Sequence, residues 1–284
     1  MRIVITGANG QLGSELRHLW RYKEGYECFF LDRKQLPLDQ IMIIQDILGM
    51  YQPELIVHAG AYTAVDKAEV EVEQAEIINY LATEEIAQSC RLNGCKLLAI
   101  STGYVFDGNS KLPLSEDAAV SPINTYGLTK LKGEQAIQKW WPESIIIRTS
   151  WVYSGYGNNF VKTMLRLMRE REEISVIDDQ IGSPTSARDL ARAIGVIVDS
   201  GTWEAGIYHY SNEGKASWYE FAIAIRDAIG LTCKINSIST AEYPTPAKRP
   251  KYSLLDKSKI KRVYGLEIPH WKDSLRAVIG SFTA

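Results

Sequence analysis

Arg2-Ile3-Val4-Ile5-Thr6-Gly7-Ala8-Asn9-Gly10-Gln11-Leu12-Gly13 reads as a short β-branched strand running straight into a glycine-spaced turn and a helix. The helix is expected from about Gln11 to Trp20, with Leu12, Leu16 and Leu19 facing inward. Gly7 suits the tight strand-to-helix turn, Gly10 a close backbone approach to a pyrophosphate, and Gly13 the packing of helix on strand. The helix start offers free N–H groups and the positive end of the helix dipole to phosphate. The spacing is G-x-x-G-x-x-G rather than G-x-G-x-x-G, and it still supplies all three services. A second strand, Tyr26 to Leu31, ends at Asp32, where a carboxylate suits the adenosine ribose hydroxyls. Arg33 and Lys34 follow directly and suit a ribose 2′-phosphate; the plain alternative is a solvated charge cluster.

The alternation continues outward. A helix is expected over Gln40 to Tyr51, a strand over Leu55 to His58, and the small-residue turn Ala59-Gly60-Ala61 after it. A long helix over Val72 to Leu92 stops at Asn93-Gly94, a common helix ending. The strand Lys96 to Ser101, a helix carrying Tyr126 and running to Trp140, and the strand Ser144 to Arg148 complete this half. Strands separated by helices of this length imply an α/β fold with a doubly wound parallel sheet of Rossmann type. Residues 1–154 are read as the dinucleotide-binding domain, with segments returning from the C-terminal half, and 155–284 mainly as a smaller substrate-binding lobe. In that lobe helices are expected at 158–171, 186–199 and 217–229, with short strands near 174–177 and 206–211. The stretch Tyr243 to Tyr252 is proline-rich, cationic and aromatic, and reads as a loop on the substrate side of a cleft.

Composition narrows the classes. The chain has 284 residues, 45% hydrophobic and 23% charged, with net charge −2. That is an ordinary globular balance, with no basic field for nucleic acid or anionic membranes. No apolar run approaches a membrane span, and no signal peptide is recognised. Cys28, Cys90, Cys95 and Cys233 show no metal spacing and read as small buried hydrophobes in a reducing cytoplasm. The four histidines are scattered, so no catalytic metal is expected.

Chemistry enters with Tyr126 and Lys130, four residues apart on one helix face. An ammonium beside a phenol favours its anion, which predicts a Tyr126 pKa below the usual value of about 10. Such a phenol can exchange a proton with a carbonyl or alcohol oxygen during hydride transfer. Thr102, one residue past the natural end of its strand, can hydrogen-bond the same oxygen.

Thr102, Tyr126 and Lys130 together resemble the catalytic triad of extended short-chain dehydrogenase/reductases. Ala61 to Glu69 (AYTAVDKAE), Ser101 to Gly108 (STGYVFDG), Ile147 to Tyr153 (IRTSWVY), Gly157 to Phe160 (GNNF), Asp179 to Thr185 (DQIGSPT) and Arg249-Pro250 with Tyr252 to Leu254 are similar to the dTDP-4-dehydrorhamnose reductases, in order along essentially the whole chain. Members of that family reduce the C4 keto group of dTDP-6-deoxy-L-lyxo-4-hexulose to give dTDP-L-rhamnose for bacterial surface polysaccharide. The resemblance implies Tyr126 as proton donor, Lys130 as its partner and holder of the nicotinamide ribose, and Thr102 as the second hydroxyl. It places the cofactor against Gly10, Gln11, Leu12, Asp32, Leu38, Asp39, Ala61, Tyr62 and Thr63, as well as Tyr126 and Lys130, to which the reading of the residues adds Gly7, Gly13, Arg33 and Ala59. The resemblance gives the sugar to Thr102, Gly103 and Trp151, with Trp151 suited to the 6-deoxy edge; Asn159 and Arg249 are added as substrate-side candidates, Arg249 for the pyrophosphate. The cofactor expected is NADP(H), with NAD(H) tolerated, in a cytoplasmic monomer or homodimer.

Two departures stand out. The family usually has Asp after the catalytic Thr, where this chain has Gly103; loss of one hydrogen bond to a charged group costs about 1.5–3 kcal/mol. The acidic set that supports a magnesium-bridged dimer in some relatives is only partly matched: Glu15 is present, but Ala187-Arg188-Asp189 is arranged differently, so no metal is expected. Two other readings stay open, another nucleotide-sugar 4-ketoreductase or epimerase, and a non-catalytic subunit resembling the regulatory subunit of methionine adenosyltransferase. Several residues also carry plain structural readings. Asp66-Lys67 reads equally as a surface ion pair, Asn158-Asn159 as a helix N-cap, Trp151 as core, and Lys257, Lys259, Lys261 and Arg262 as a solvated face. The helix faces carrying Leu81, Ile86 and Ile137 read as core or dimer interface.

Overall fold

β1 (Arg2–Thr6) lies between β2 (Glu27–Leu31) and β3 (Leu55–His58) near one end of a parallel sheet. The computed structural model describes residues 1–282, and all structural statements refer to these. Next to β3 run β4 (Lys96–Thr102) and β5 (Ile145–Thr149), followed by β10 (Gly206–His209), giving the order β10-β5-β4-β3-β1-β2. Ile3, Val4 and Ile5 have no exposed surface, as their run of β-branched side chains requires of a strand covered on both faces.

Helices cover both faces. On one side α1 (Gln11–Trp20) packs with α8 (Ala187–Asp199) and α10 (Ser258–Tyr264), through Leu12, Leu16, Trp20, Leu190, Ile194, Ile197 and Ile260. On the other, α2 (Ile44–Tyr51), α5 (Ala82–Asn93) and α6 (Thr125–Trp140) bury Leu48, Ile86, Ala87 and Ile137 against Ile56, Leu97 and Ile146. Ile86 and Ile137 are therefore core. The long helix expected over Val72 to Leu92 is α4 (Val72–Glu76), a π-helical turn Ile77–Leu81, then α5, with α3 (Val65–Ala68) before it. The π turn sets Asn79 inward, where its side chain receives a bond from Tyr62 N and donates to Thr129 Oγ1. No hydrophobic spacing announces such a widened turn.

The remaining elements form a second core beyond the C-terminal ends of the strands. α7 (Phe160–Glu170), α9 (Trp218–Ala228) and α11 (Trp271–Ile279) enclose Met164, Leu165, Phe221, Ile225, Trp271 and Leu275. The parallel pair β7 (Glu173–Ile177) and β12 (Lys234–Ile238) closes it. Two short pairs, β6 (Val152–Tyr153) with β9 (Thr185–Ser186) and β8 (Ile181–Gly182) with β11 (Ala216–Ser217), connect the two cores.

The reading of the C-terminal cations as a solvated face is corrected for Lys257 and Lys259, while Lys261 and Arg262 are exposed as expected. Lys257 is buried and pairs with Glu213, Lys259 Nζ donates to Ile207 O across the β10 edge, and Lys261 Nζ lies 2.5 Å from Glu213. These cations hold α10 and the loop after β10 together.

Candidate active site

A cleft of about 680 Å³ opens where the strands of the sheet end. Gly7 and Gly10 form its floor, and Gln11 and Leu12, in the first turn of α1, line it with Asn9, Ala59, Gly60 and Ala61. Gly7 has φ +68°, and a Cβ there would lie 2.7 Å from Gly60 N. A Cβ on Gly13 would lie 2.3 Å from Gly7 O, so a side chain would push α1 off the turn. Gly10 caps α1 without any side-chain hydrogen bond, leaving the first-turn N–H groups open toward the cleft. This is a cradle shaped for an anionic, phosphate-bearing group.

Asp32 and Arg33 reach the same cleft from the end of β2. Asp32 Oδ1 accepts from Lys34 N (2.9 Å) and Gln35 N (3.1 Å), and Oδ2 accepts from Asn9 Nδ2 (3.1 Å). Those backbone bonds, led by Lys34, hold its carboxyl below the usual range. The Arg33 guanidinium pairs with Asp39 at 2.8 Å and is otherwise exposed. Leu38, Asp39 and Tyr62 stand outside the cleft walls; Tyr62 gives its hydroxyl to Glu71 and its N–H to Asn79. Thr63 lines the wall with Val65.

At the far wall β4, α6 and β5 bring Thr102, Tyr126, Lys130, Ser150 and Trp151 together with Tyr104. Asn124 caps α6 by accepting from Gly127 N at 2.7 Å, while its amide donates to Lys248 O, which fixes the helix start that carries Tyr126. Tyr104 meets Tyr126 edge to face, 5.8 Å between centroids. Tyr126 is hydrogen-bonded to Thr102, and burial pushes its hydroxyl up to about 12. The expectation of a lowered Tyr126 pKa is thus corrected: desolvation outweighs the helical neighbour, because Lys130 directs its ammonium to Ile100 O (2.8 Å). Lys130 is itself buried, which brings its ammonium down to about 8, with Glu134 opposing the drop.

Behind Lys130 lies a buried ion pair. Arg148 on β5 donates from Nε and Nη2 to the Glu134 carboxylate at 2.7–3.2 Å, and Ser101 Oγ donates to the same group. Glu134 sits one turn after Lys130 on α6 and lines the same small cavity, together with His58, Asn79 and Thr83. His58 bridges Thr6 and Thr83 through its two ring nitrogens, and burial holds its imidazole down to about 3.

Three of the expected sugar-nucleotide positions also fall outside the cleft wall. Asn159 is the N-cap of α7, its Oδ1 accepting from Lys162 N and its amide donating to Gln11 Oε1, so it braces the cleft from behind; Asn158 is the one on the wall. Arg249 is spent on Asp66, with Nη1 at 2.8 Å and Nη2 at 2.6 Å, and also donates to Thr245 and Ala247. Asp66 therefore pairs across the fold with Arg249 rather than with Lys67. Gly103 is buried beneath the wall, where a Cβ would meet Leu255 Cδ2 at 3.6 Å and Ser150 Cβ at 3.9 Å, ordinary contacts.

Trp218, at the first turn of α9, is a wall residue that the sequence did not reveal. No spacing links position 218 to position 151, and only the tertiary fold joins them. Tyr104, by contrast, lies inside the segment Ser101 to Gly108 and was in reach.

Comparison with known proteins agrees with the geometry. The family described as RmlD substrate binding domain matches residues 1–284. The dTDP-4-dehydrorhamnose reductase of Aggregatibacter actinomycetemcomitans is 39% identical over 287 residues, covering 98% of each chain. The spore coat polysaccharide biosynthesis protein SpsK of Bacillus subtilis is 40% identical over 275 residues, covering 97% of this chain and 95% of that one. Among solved structures, a dTDP-4-dehydrorhamnose reductase from Clostridium acetobutylicum superposes with TM-score 0.95 at 36% identity and full coverage of both chains. The Bacillus anthracis dTDP-4-dehydrorhamnose reductase in complex with NADP gives TM-score 0.93 at 42% identity over 98% of each chain. Cradle, Tyr–Lys helix and full-length likeness agree, and the chain belongs to the family of the dTDP-4-dehydrorhamnose reductases.

Proposed function

We propose that the cleft reduces the C4 keto group of dTDP-6-deoxy-L-lyxo-4-hexulose to the alcohol of dTDP-L-rhamnose, with NADPH as reductant and NADH accepted. The observation that carries this reading is the meeting of Thr102, Tyr126 and Lys130 with the glycine cradle and Trp151 in one cleft, in a chain similar over its full length to reductases of that name. The cradle fits the cofactor. The open first-turn N–H groups of α1 and the space over Gly7 and Gly10 would take the pyrophosphate, and Asp32 and Arg33 would take the adenosine ribose. Arg33 is free to leave Asp39 for a 2′-phosphate, since an exposed ion pair is worth only about 0–1 kcal/mol. When bound, reduced nicotinamide supplies the hydride.

Tyr126 gives its proton to the carbonyl oxygen as that oxygen gains charge. A hydroxyl pushed up to about 12 stays protonated at neutral pH, as a reductase's acid must. Thr102 orients the same oxygen by hydrogen bonding. Lys130, protonated below about pH 8, keeps one N–H on Ile100 O and can turn its others to the nicotinamide ribose. Trp151 and Trp218 form an apolar wall beside these polar groups. In this reading residues 1–154 chiefly hold the cofactor and 155–284 chiefly hold the sugar nucleotide. The buried, unpaired Cys90, Cys95 and Cys233 are consistent with a cytoplasmic setting.

The test is loss of NADPH absorbance with the ketosugar nucleotide, generated in situ by the upstream dehydratase and epimerase. Rapid oxidation in the wild type, reduced by about two to four orders of magnitude in Tyr126→Phe with NADPH affinity retained, is expected. An active Tyr126→Phe enzyme would remove Tyr126 from the chemistry. Wild-type NADPH binding without oxidation would point, through Gly103, to a different sugar.

A further inference from the structure

Trp151 and Trp218 stack face to face, 3.5 Å between centroids and 10° between planes, and both stand in the cleft wall that carries Tyr126. Trp151 has φ +48°, a left-handed backbone that bulky side chains seldom adopt and that surrounding structure has to enforce. Its carbonyl accepts from Thr185 N, and its ring rests where a side chain on Gly182 would stand: a Cβ there would lie 2.8 Å from Trp151 Cε2. Trp218 is pinned in turn. Its Nε1 donates to Gln180 Oε1 at 3.1 Å, Gln180 Nε2 donates to Thr240 Oγ1, and Phe160 leans on the indole at 4.6 Å.

We propose that Trp218 is a specificity-determining residue, holding the strained Trp151 indole in plane so that the wall accepts a sugar whose carbon next to the reacting centre bears a methyl group. The inference rests on the functional reading above, in which the substrate carries its 6-methyl two bonds from the C4 carbonyl carbon. The stacked faces of the indole pair present carbon, and the Trp218 N–H is already given to Gln180, so a C6 hydroxyl laid on those faces would exchange water for apolar surface. An apolar wall of this kind discriminates against an added hydroxyl by up to about a hundredfold.

The test compares wild type with Trp218→Ala, Trp218→Phe and Gly182→Ala, using the 6-deoxy-4-keto nucleotide sugar and its 6-hydroxy counterpart. Wild-type turnover of the 6-deoxy substrate checks the functional reading by itself. Trp218→Ala should raise the KM for that substrate about tenfold, lower kcat less than about threefold, and narrow the preference over the 6-hydroxy sugar. Trp218→Phe should restore KM to within about threefold, because a ring still backs Trp151. Gly182→Ala, whose Cβ would lie 2.8 Å from Trp151 Cε2 and so displace the ring, should reproduce the Trp218→Ala pattern. NADPH affinity should be unchanged throughout. An unchanged KM and preference in Trp218→Ala overturns the proposal, and so does a parallel loss of NADPH affinity, which would make Trp218 a packing residue only.

Discussion

Replacing Glu134 by Gln removes a negative charge from a place where two cations depend on it. Glu134 is 3% exposed and Arg148 2%, so neither charge can turn to water. The guanidinium loses an anion that takes three of its contacts at 2.7–3.2 Å, and its Nη1 already lacks a partner. Stranding one member of a buried pair costs about 3–5 kcal/mol, whereas removing both members together is often close to neutral. Lys130, one turn away, loses the group that favours its charged form. Urea unfolding at neutral pH, followed by circular dichroism, should therefore show Glu134→Gln destabilised by about 3–5 kcal/mol. Glu134→Gln with Arg148→Met should recover about 2 kcal/mol of that, as expected for coupled neighbours. The same single variant should move the alkaline fall of kcat to lower pH, and the double variant should move it back. A Glu134→Gln enzyme less than about 1 kcal/mol weaker than wild type would refute the argument. So would a double variant whose cost equals the sum of the singles.

The wild-type pH profile follows from Lys130. In the proposed mechanism its protonated form is the working form, and its ammonium is brought down to about 8, so activity should fall as pH rises through about 8, well below the usual lysine range. A flat profile to pH 10 would place the requirement elsewhere. His58 and His209 are both held down to about 3 by burial, so below about 6.5 the unfolded chain takes protons the folded one refuses. Stability should then fall by about 3 kcal/mol from this pair between pH 6.5 and 5, and His58→Gln should halve that slope in urea melts. Gly103→Asp should fold, since its Cβ meets only ordinary contacts and its φ is not left-handed. The variant should hold or improve sugar KM; a clear rise would mean that Gly103 makes room for a different ligand.

The glycine turn, the parallel strands and the Tyr126–Lys130 helix were legible because each rests on local spacing. Element ends came within a residue or two through residue 149, and helices α7, α8 and α9 were placed as closely. What escaped depends on pairing at a distance. β10 reads locally as one more short strand, and only its register with β5 makes it part of the main sheet. β12, α10 and α11 carry mixed patterns that the second core, not periodicity, makes regular. Arg249 looked like an anion site because sequence shows its charge and not Asp66, 183 positions earlier, which takes it. The Tyr126 pKa was misjudged for a related reason: four-residue spacing gives proximity to an ammonium but says nothing of how deeply the phenol is buried.

The late arrival of β10 has a consequence for how the chain is made. Synthesis runs from the N-terminus, so five strands of the sheet emerge while β5 is still an unpaired edge, and more than fifty residues pass before Gly206–His209 can cover it. The face of α1, complete at Trp20, waits longer still for Leu190, Ile194 and Ile197. A ribosome-bound intermediate thus shows a bare strand edge of Ile145, Ile146 and Ile147 together with an uncovered row of leucines, the kind of surface that nascent-chain chaperones protect and that aggregates when they are scarce.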